Sequence, residues 1–202
     1  MVKQFSEMSD GKLIIKNLNE TLLKGAEAMD RIGVPYIITG GTLLGIYRDK
    51  TLMAHDRDVD VDVLVEDIGE YEEFRKKLSK ETGKDVVLHN NYFTNNYQYK
   101  EQTVPFDVFI IFKKGKHRFR HFFGENNQEA HLASCLIWPE DFYDTSKWTT
   151  IDYLGRKFPI PHNTEEYLEI FFGKDWKTPK HVWSWPSSAA NHHIFREFQW
   201  EA

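Results

Sequence analysis

HDRDVDVDVLV, residues 55–65, sets an aspartate at every second position: Asp56, Asp58, Asp60 and Asp62. Val59, Val61, Val63, Leu64 and Val65 stand between and after them. Alternation of this kind predicts a β-strand over roughly 57–65. Successive strand side chains point to opposite faces, so the carboxylates share one face and the valines the other. Aspartate is a poor strand former, and like charges set side by side repel. The pattern therefore predicts a compensating cation on the acidic face.

Carboxylates are hard oxygen ligands, suited to Mg²⁺ or Mn²⁺, and such ions borrow further ligands from substrate phosphates. Asp107, alone in the apolar run VPFDVFIIF (104–112), is the candidate third acid. A buried carboxylate needs a cation. That cation is either a metal shared with the aspartate strand or a lysine or arginine. Upstream, Gly40-Gly41 follows the short apolar strand VPYIIT and precedes TLLGIYR, a short helix or turn. A glycine pair there lets the backbone approach a phosphate, with helix N–H groups aimed at it. Arg48, near the end of that helix, has three readings: a phosphate clamp, a C-terminal cap, or the partner of an aspartate.

GGTLLGIYRD followed by HDRDVDVDV resembles the signature of the LicD/fukutin-related family of the nucleotidyltransferase-fold superfamily. VPFDVFIIF is similar to that family's later strand, and FPIPHNTEEYLEIFFGKDWKTP to its C-terminal segment, so the likeness runs over about residues 34–180. It implies an α+β fold, a nucleotidyltransferase-like mixed β-sheet flanked by helices. It places Gly40, Gly41 and the adjoining Thr42 on the phosphate-binding turn, with Arg48 closing that segment. Asp58 and Asp60 fall on the metal-binding pair, Asp107 on the third acid, and Asp56 on a further family acid. His55 replaces the family's usual Trp, Asp62 its Gly, and Phe172 its Tyr. The implied enzyme is a metal-dependent transferase. It moves a phosphorylated alcohol, such as phosphocholine or ribitol phosphate, from a CDP-linked donor to a glycan hydroxyl, with Asp58, Asp60 and Asp107 catalytic and Asp107 accepting the proton. Two alternatives stand beside it: NMP transfer from an NTP to a small molecule, protein or RNA, and a non-catalytic nucleotide-binding domain.

The rest of the chain reads as scaffold. With 202 residues, 41% of them hydrophobic, it is expected to form one domain, a core over about 10–125 and a loop-rich aromatic extension over about 126–202. Apolar positions 14, 18, 22, 26, 29 and 32 predict a helix over 10–32, with Asp10 as N-cap and Gly33 as stop. A second helix is expected over 68–82, with Ile68, Tyr71, Phe74 and Leu78 on its apolar side. DVVLHN, YFTNNYQYK, VPFDVFIIF and KHRFRHFF read as strands, IDYLGRKFPIP as a hairpin, and NTEEYLEIFFG as a helix capped by Asn163 and stopped by Gly173.

A net charge of −5 argues against nucleic acid as the main partner. The basic run KKGKHRFRH (113–121) is expected to be a solvated hairpin. The single cysteine, Cys135, excludes an internal disulfide and reads as a buried, inert thiol. His162, His181, His192 and His193 lack zinc spacing. The acidic stretch lacks the Gly and Glu of a calcium loop. No membrane span and no signal peptide are read from the sequence, and the expected location is the cytosol.

Overall fold

The computed structural model describes residues 2–89, 96–101, 104–123, 133–180, 190 and 192–195. The chain opens with α1 (Val2–Ile32). Its stripe Leu18, Leu22, Ala26 and Met29 is fully buried, whereas Leu13 and Ile14 stay at the surface. The helix starts earlier than the expected cap, and Asp10 lies inside it. No proline interrupts residues 2–10, and a glycine such as Gly11 costs only about 1 kcal/mol in a helix. Gly33, at φ +72°, ends it as expected.

β1 (Tyr36–Ile38) leads into α2 (Gly40–Leu44) and one π-helical turn over Gly45–Asp49. The aspartate strand is β2 (Val59–Leu64). The helix expected over 68–82 is two pieces, α3 (Val65–Ile68) and α4 (Tyr71–Thr82), divided at Gly69 with φ +66°. Phe74 and Leu78 are buried while Tyr71 is largely exposed. Then come β3 (Val87–His89), β4 (Asn96–Glu101), β5 (Val104–Lys114) and β6 (His117–Phe123). β7 (Ala133–Pro139) occupies the run ASCLIWP, which shows apolarity but no alternation. β8 (Thr149–Tyr153) and β9 (Arg156–Ile160) form the expected hairpin, α5 (Thr164–Phe172) follows, and β10 (His192–Phe195) closes the order. The side chain of Cys135 and residues 181–189 lie outside the described residues.

The main sheet runs β1-β2-β5-β6-β7-β10. β2 and β5 are parallel, and the other pairings are antiparallel. β5 has 11 residues and divides its second edge, giving its first half to β4 and its end to β6. This mixed α+β architecture is the expected one.

The parallel register sets the two faces. Val59, Val61 and Val63 stand opposite Phe106, Val108 and Ile110, and all six are buried. α1 crosses above them at Gly25, where a Cβ would fall 2.0 Å from the Phe106 ring. The opposite face carries Asp60 beside Asp107 and Asp62 beside Phe109. The C-terminal third covers that face: Trp138 stacks on Tyr167 with centroids 5.6 Å apart, and Phe171 meets Trp138 edge-on.

Candidate metal centre

Asp60 and Asp107 are register partners on adjacent parallel strands, so their Cβ atoms leave the sheet on the same side. Asp58 precedes the strand by one residue and turns in. One carboxylate oxygen from each of the three lies within 4.8 Å of the others. It is the one such cluster of potential metal ligands among the described residues. The donors are all hard oxygens, which suits Mg²⁺ or Mn²⁺.

The segment 39–42 wraps the backbone of Asp60. Thr39 N–H donates to the Asp60 carbonyl at 3.1 Å. Asp60 N–H donates to Thr42 Oγ1 at 3.0 Å. The glycines sit directly on the acids. A Cβ on Gly40 would lie 2.5 Å from Asp60 Oδ2, and one on Gly41 would lie 2.8 Å from Asp56 Oδ2. Gly40 also holds φ +56°, where side chains are strained. Gly40→Ala is therefore expected to displace the Asp60 carboxylate and weaken Mn²⁺ binding by about 10-fold or more. Titration calorimetry with Mn²⁺ checks this, and Gly41→Ala, which presses on Asp56 instead, serves as comparison.

The remaining sequence candidates fall around this core. Asp56 lies against Gly41, outside the convergent three. Arg48 is bound bidentately to Asp49, with Nε to Oδ1 at 2.8 Å and Nη2 to Oδ2 at 2.7 Å. It also donates to the Trp176 carbonyl at 3.2 Å. Its geometry is thus that of an aspartate partner and tether. His55 is exposed. His162 pairs through Nε2 with Asp141 at 3.0 Å.

The compensating cation is Arg120, and it answers a different aspartate. Arg120 bonds Asp62, both fully enclosed, and its guanidinium lies 3.6 Å from the Phe109 ring centroid. Tyr143 Oη donates to Asp62 Oδ2 at 2.8 Å, and Tyr167 Oη at 3.3 Å. The expected solvated hairpin is corrected in part. Its tip is exposed, but Arg118 and Arg120 are buried ion-pair partners, Arg118 taking both oxygens of Glu66. The run alternates, so its two arginines share a face, and that face is the acidic one. Sequence reading gave Tyr143 and Tyr167 no role, because aromatics in EDFY and TEEYLEIFF signal only core.

Burial raises Asp56, Asp58 and Asp60, and repulsion adds to it at Asp56 and Asp60. Asp60 is pushed well above the carboxylate range by burial, then by Asp58 and Asp107, with Arg120 opposing. Burial also raises Asp58. Asp56 is pushed up to about 7 by burial and by Asp58. The folded chain therefore keeps protons that the unfolded chain has released. Without ions, these acids make stability fall as pH rises from the ordinary carboxylate range through about 7. A divalent ion requires the deprotonated forms and relieves their repulsion. Saturating Mn²⁺ is expected to raise the melting temperature by roughly 5–10 °C at pH 8 and by much less at pH 5.5. Differential scanning fluorimetry at the two pH values measures it, and an equal rise at both would contradict the charge balance described.

A family model described as LicD/FKTN/FKRP, nucleotidyltransferase domain, matches residues 33–163. Ribitol-5-phosphate transferase FKTN of Homo sapiens is 26% identical over 181 residues, covering 87% of this chain and 36% of the relative. Ribitol 5-phosphate transferase FKRP of Mus musculus is 24% identical over 169 residues, covering 79% and 32%. The chain spans about a third of the length of these curated relatives. Among solved structures, ANT(2")-Ia in complex with adenylyl-2"-tobramycin aligns with TM-score 0.44 at 16% identity, covering 82% of each chain. A nucleotidyltransferase from Thermotoga maritima aligns with TM-score 0.41 at 14% identity, covering 73% of this chain and 79% of its own.

Proposed function

Because the chain belongs to the LicD/FKTN/FKRP family of nucleotidyltransferase domains, we propose that it is a metal-dependent transferase of phosphorylated alcohols. The donor is a CDP-linked alcohol, with ribitol phosphate as the first candidate for the transferred group because the relatives are named for it. The acceptor is a glycan hydroxyl. The observation that supports this most is the convergence of Asp58, Asp60 and Asp107 beside a glycine turn. Three like charges held together at the edge of a core are costly unless a cation joins them.

Asp58, Asp60 and Asp107 would hold Mg²⁺ or Mn²⁺. When bound, such an ion supplies positive charge to the donor's phosphate oxygens and to the attacking and leaving oxygens. The chain's own residues do the rest. Backbone N–H groups of Gly40 and Gly41 face the donor phosphates, and the missing side chains permit the close approach. The acceptor oxygen forms a bond to phosphorus, the anhydride bond to the leaving CMP breaks, and the hydroxyl proton passes to the Asp107 carboxylate. Little covalent chemistry is asked of the protein; the rate comes from alignment and charge neutralisation.

Titration calorimetry with CDP-ribitol, CTP and ATP, each with Mg²⁺, tests the reading. Tight binding of CDP-ribitol, followed by release of CMP when a glycan acceptor is added, is the expected result. Binding and turnover of CTP or ATP instead would favour nucleotidyl transfer, and no nucleotide binding at all would favour a non-catalytic domain.

A further inference from the structure

Asp62 lies on the acidic face yet stands outside the convergent three. Its surroundings form a hydrogen-bond chain. A carboxylate can only accept, so Tyr143 at 2.8 Å and Tyr167 at 3.3 Å are the donors in their contacts with it. The Tyr167 hydroxyl also lies 3.3 Å from the Tyr143 hydroxyl and shares a hydrogen bond with Thr39 Oγ1 at 2.7 Å, its shortest contact. The chain thus links Thr39, Tyr167 and Asp62, with Arg120 neutralising the end. All of these residues are buried, and Thr39 and Tyr167 completely so.

Thr39 is the last residue before the glycine turn. It is held at three points: its N–H on the Asp60 carbonyl, its hydroxyl on Tyr167, and its carbonyl receiving Leu43 N–H at 2.9 Å. The Tyr167 ring is itself fixed flat against Trp138, with planes 6° apart. A phenylalanine would fill the same stack. Beyond its longer contacts with Asp62 and Tyr143, the hydroxyl adds a fixed position for residue 39, and Gly40 with its positive φ follows at once.

We propose that Tyr167 is a positioning residue: through Thr39 it sets where the Gly40–Gly41 backbone N–H groups point, so α5 governs the phosphate cradle. The functional half of this rests on the reading of that turn as the donor's phosphate site. Removing the hydroxyl leaves the three acids and their ion unchanged but lets the turn drift.

The test uses Tyr167→Phe, Thr39→Val and Thr39→Ser in the full chain. Amide hydrogen exchange of the ion-free protein comes first, because it needs no ligand. Residues 40–44 are expected to exchange about 10-fold faster in Tyr167→Phe and Thr39→Val, with α1 unaltered and Thr39→Ser near the parent. Unchanged exchange at 40–44, or a uniform rise across the chain, would overturn the proposal. With CDP-ribitol as probe, KM is expected to rise about 10-fold while Mn²⁺ affinity stays within 2-fold. A parent protein that ignores CDP-ribitol would count against the transferase reading alone. Parent-like KM values in both hydroxyl-deleted variants would count against the positioning role.

Discussion

Asp60→Asn is expected to abolish turnover and at the same time raise the melting temperature of the ion-free protein. The two effects have one source. Asp60 is enclosed between Asp58 and Asp107, and burial with their repulsion disfavours its charged form without ions. An amide of the same shape removes that repulsion. The gain is roughly 2–4 °C, the shift that about 1 kcal/mol brings to a chain of this size. The same change takes a ligand from the centre, and turnover should fall by roughly three orders of magnitude or more. The rise in melting temperature with Mn²⁺ should vanish with it. Asp58→Asn and Asp107→Asn should act in the same direction. Release of CMP from CDP-ribitol, with scanning fluorimetry run alongside, distinguishes the outcomes. A variant that loses activity and stability together would show the acid to be structural, and near-parent turnover would end the metal-centred mechanism.

Breaking the Asp62–Arg120 pair should have the largest effect on stability. Both side chains are almost wholly excluded from solvent. Removal of one partner strands a buried charge, at a cost of about 3–5 kcal/mol. Native domains have only about 5–15 kcal/mol to lose. Asp62→Leu leaves the guanidinium over the Phe109 ring without its anion and takes the acceptor from two tyrosine hydroxyls. Arg120→Met leaves the carboxylate with those hydroxyls alone. Each single variant is expected to melt roughly 10 °C or more below the parent. The double variant Asp62→Leu with Arg120→Met should recover much of the loss, because two apolar side chains need no partners. Urea unfolding of the four proteins gives the coupling directly. Additive losses would mean that the two residues act independently, contrary to the geometry.

The opening stretch disclosed its strand, its two faces and the demand for a cation, because a period of two fixes direction without reference to the rest of the chain. It could not disclose how the acids divide their work. Asp58, Asp60 and Asp62 look alike in sequence, yet Asp60 meets Asp107 and Asp62 meets Arg120, from two other strands. Parity of position in KKGKHRFRH places Arg118 and Arg120 together, but only the strand order β2-β5-β6 brings them onto the acidic face. The glycine pair was visible as a turn. Its contact with Asp60 and Asp56 was not, since that depends on β1 lying beside β2. Tyr167 sits in EEYLE, where helical spacing predicts a core position, and nothing local tells that its hydroxyl reaches residue 39. Gly69 divides the helix expected over 68–82 because a glycine at positive φ ends one helix and frees the chain to begin another.

The parallel neighbours β2 and β5 also bear on kinetics. Parallel strands cannot meet through a tight turn, and here α3, α4, β3 and β4 intervene. Loop closure of that length precedes any encounter between residues 60 and 107, so their pocket belongs to the late, non-local part of assembly. A divalent ion has little to grip before that point. It should therefore slow unfolding while leaving the refolding rate almost unchanged, making the ion a lock on the finished fold and not a template for it.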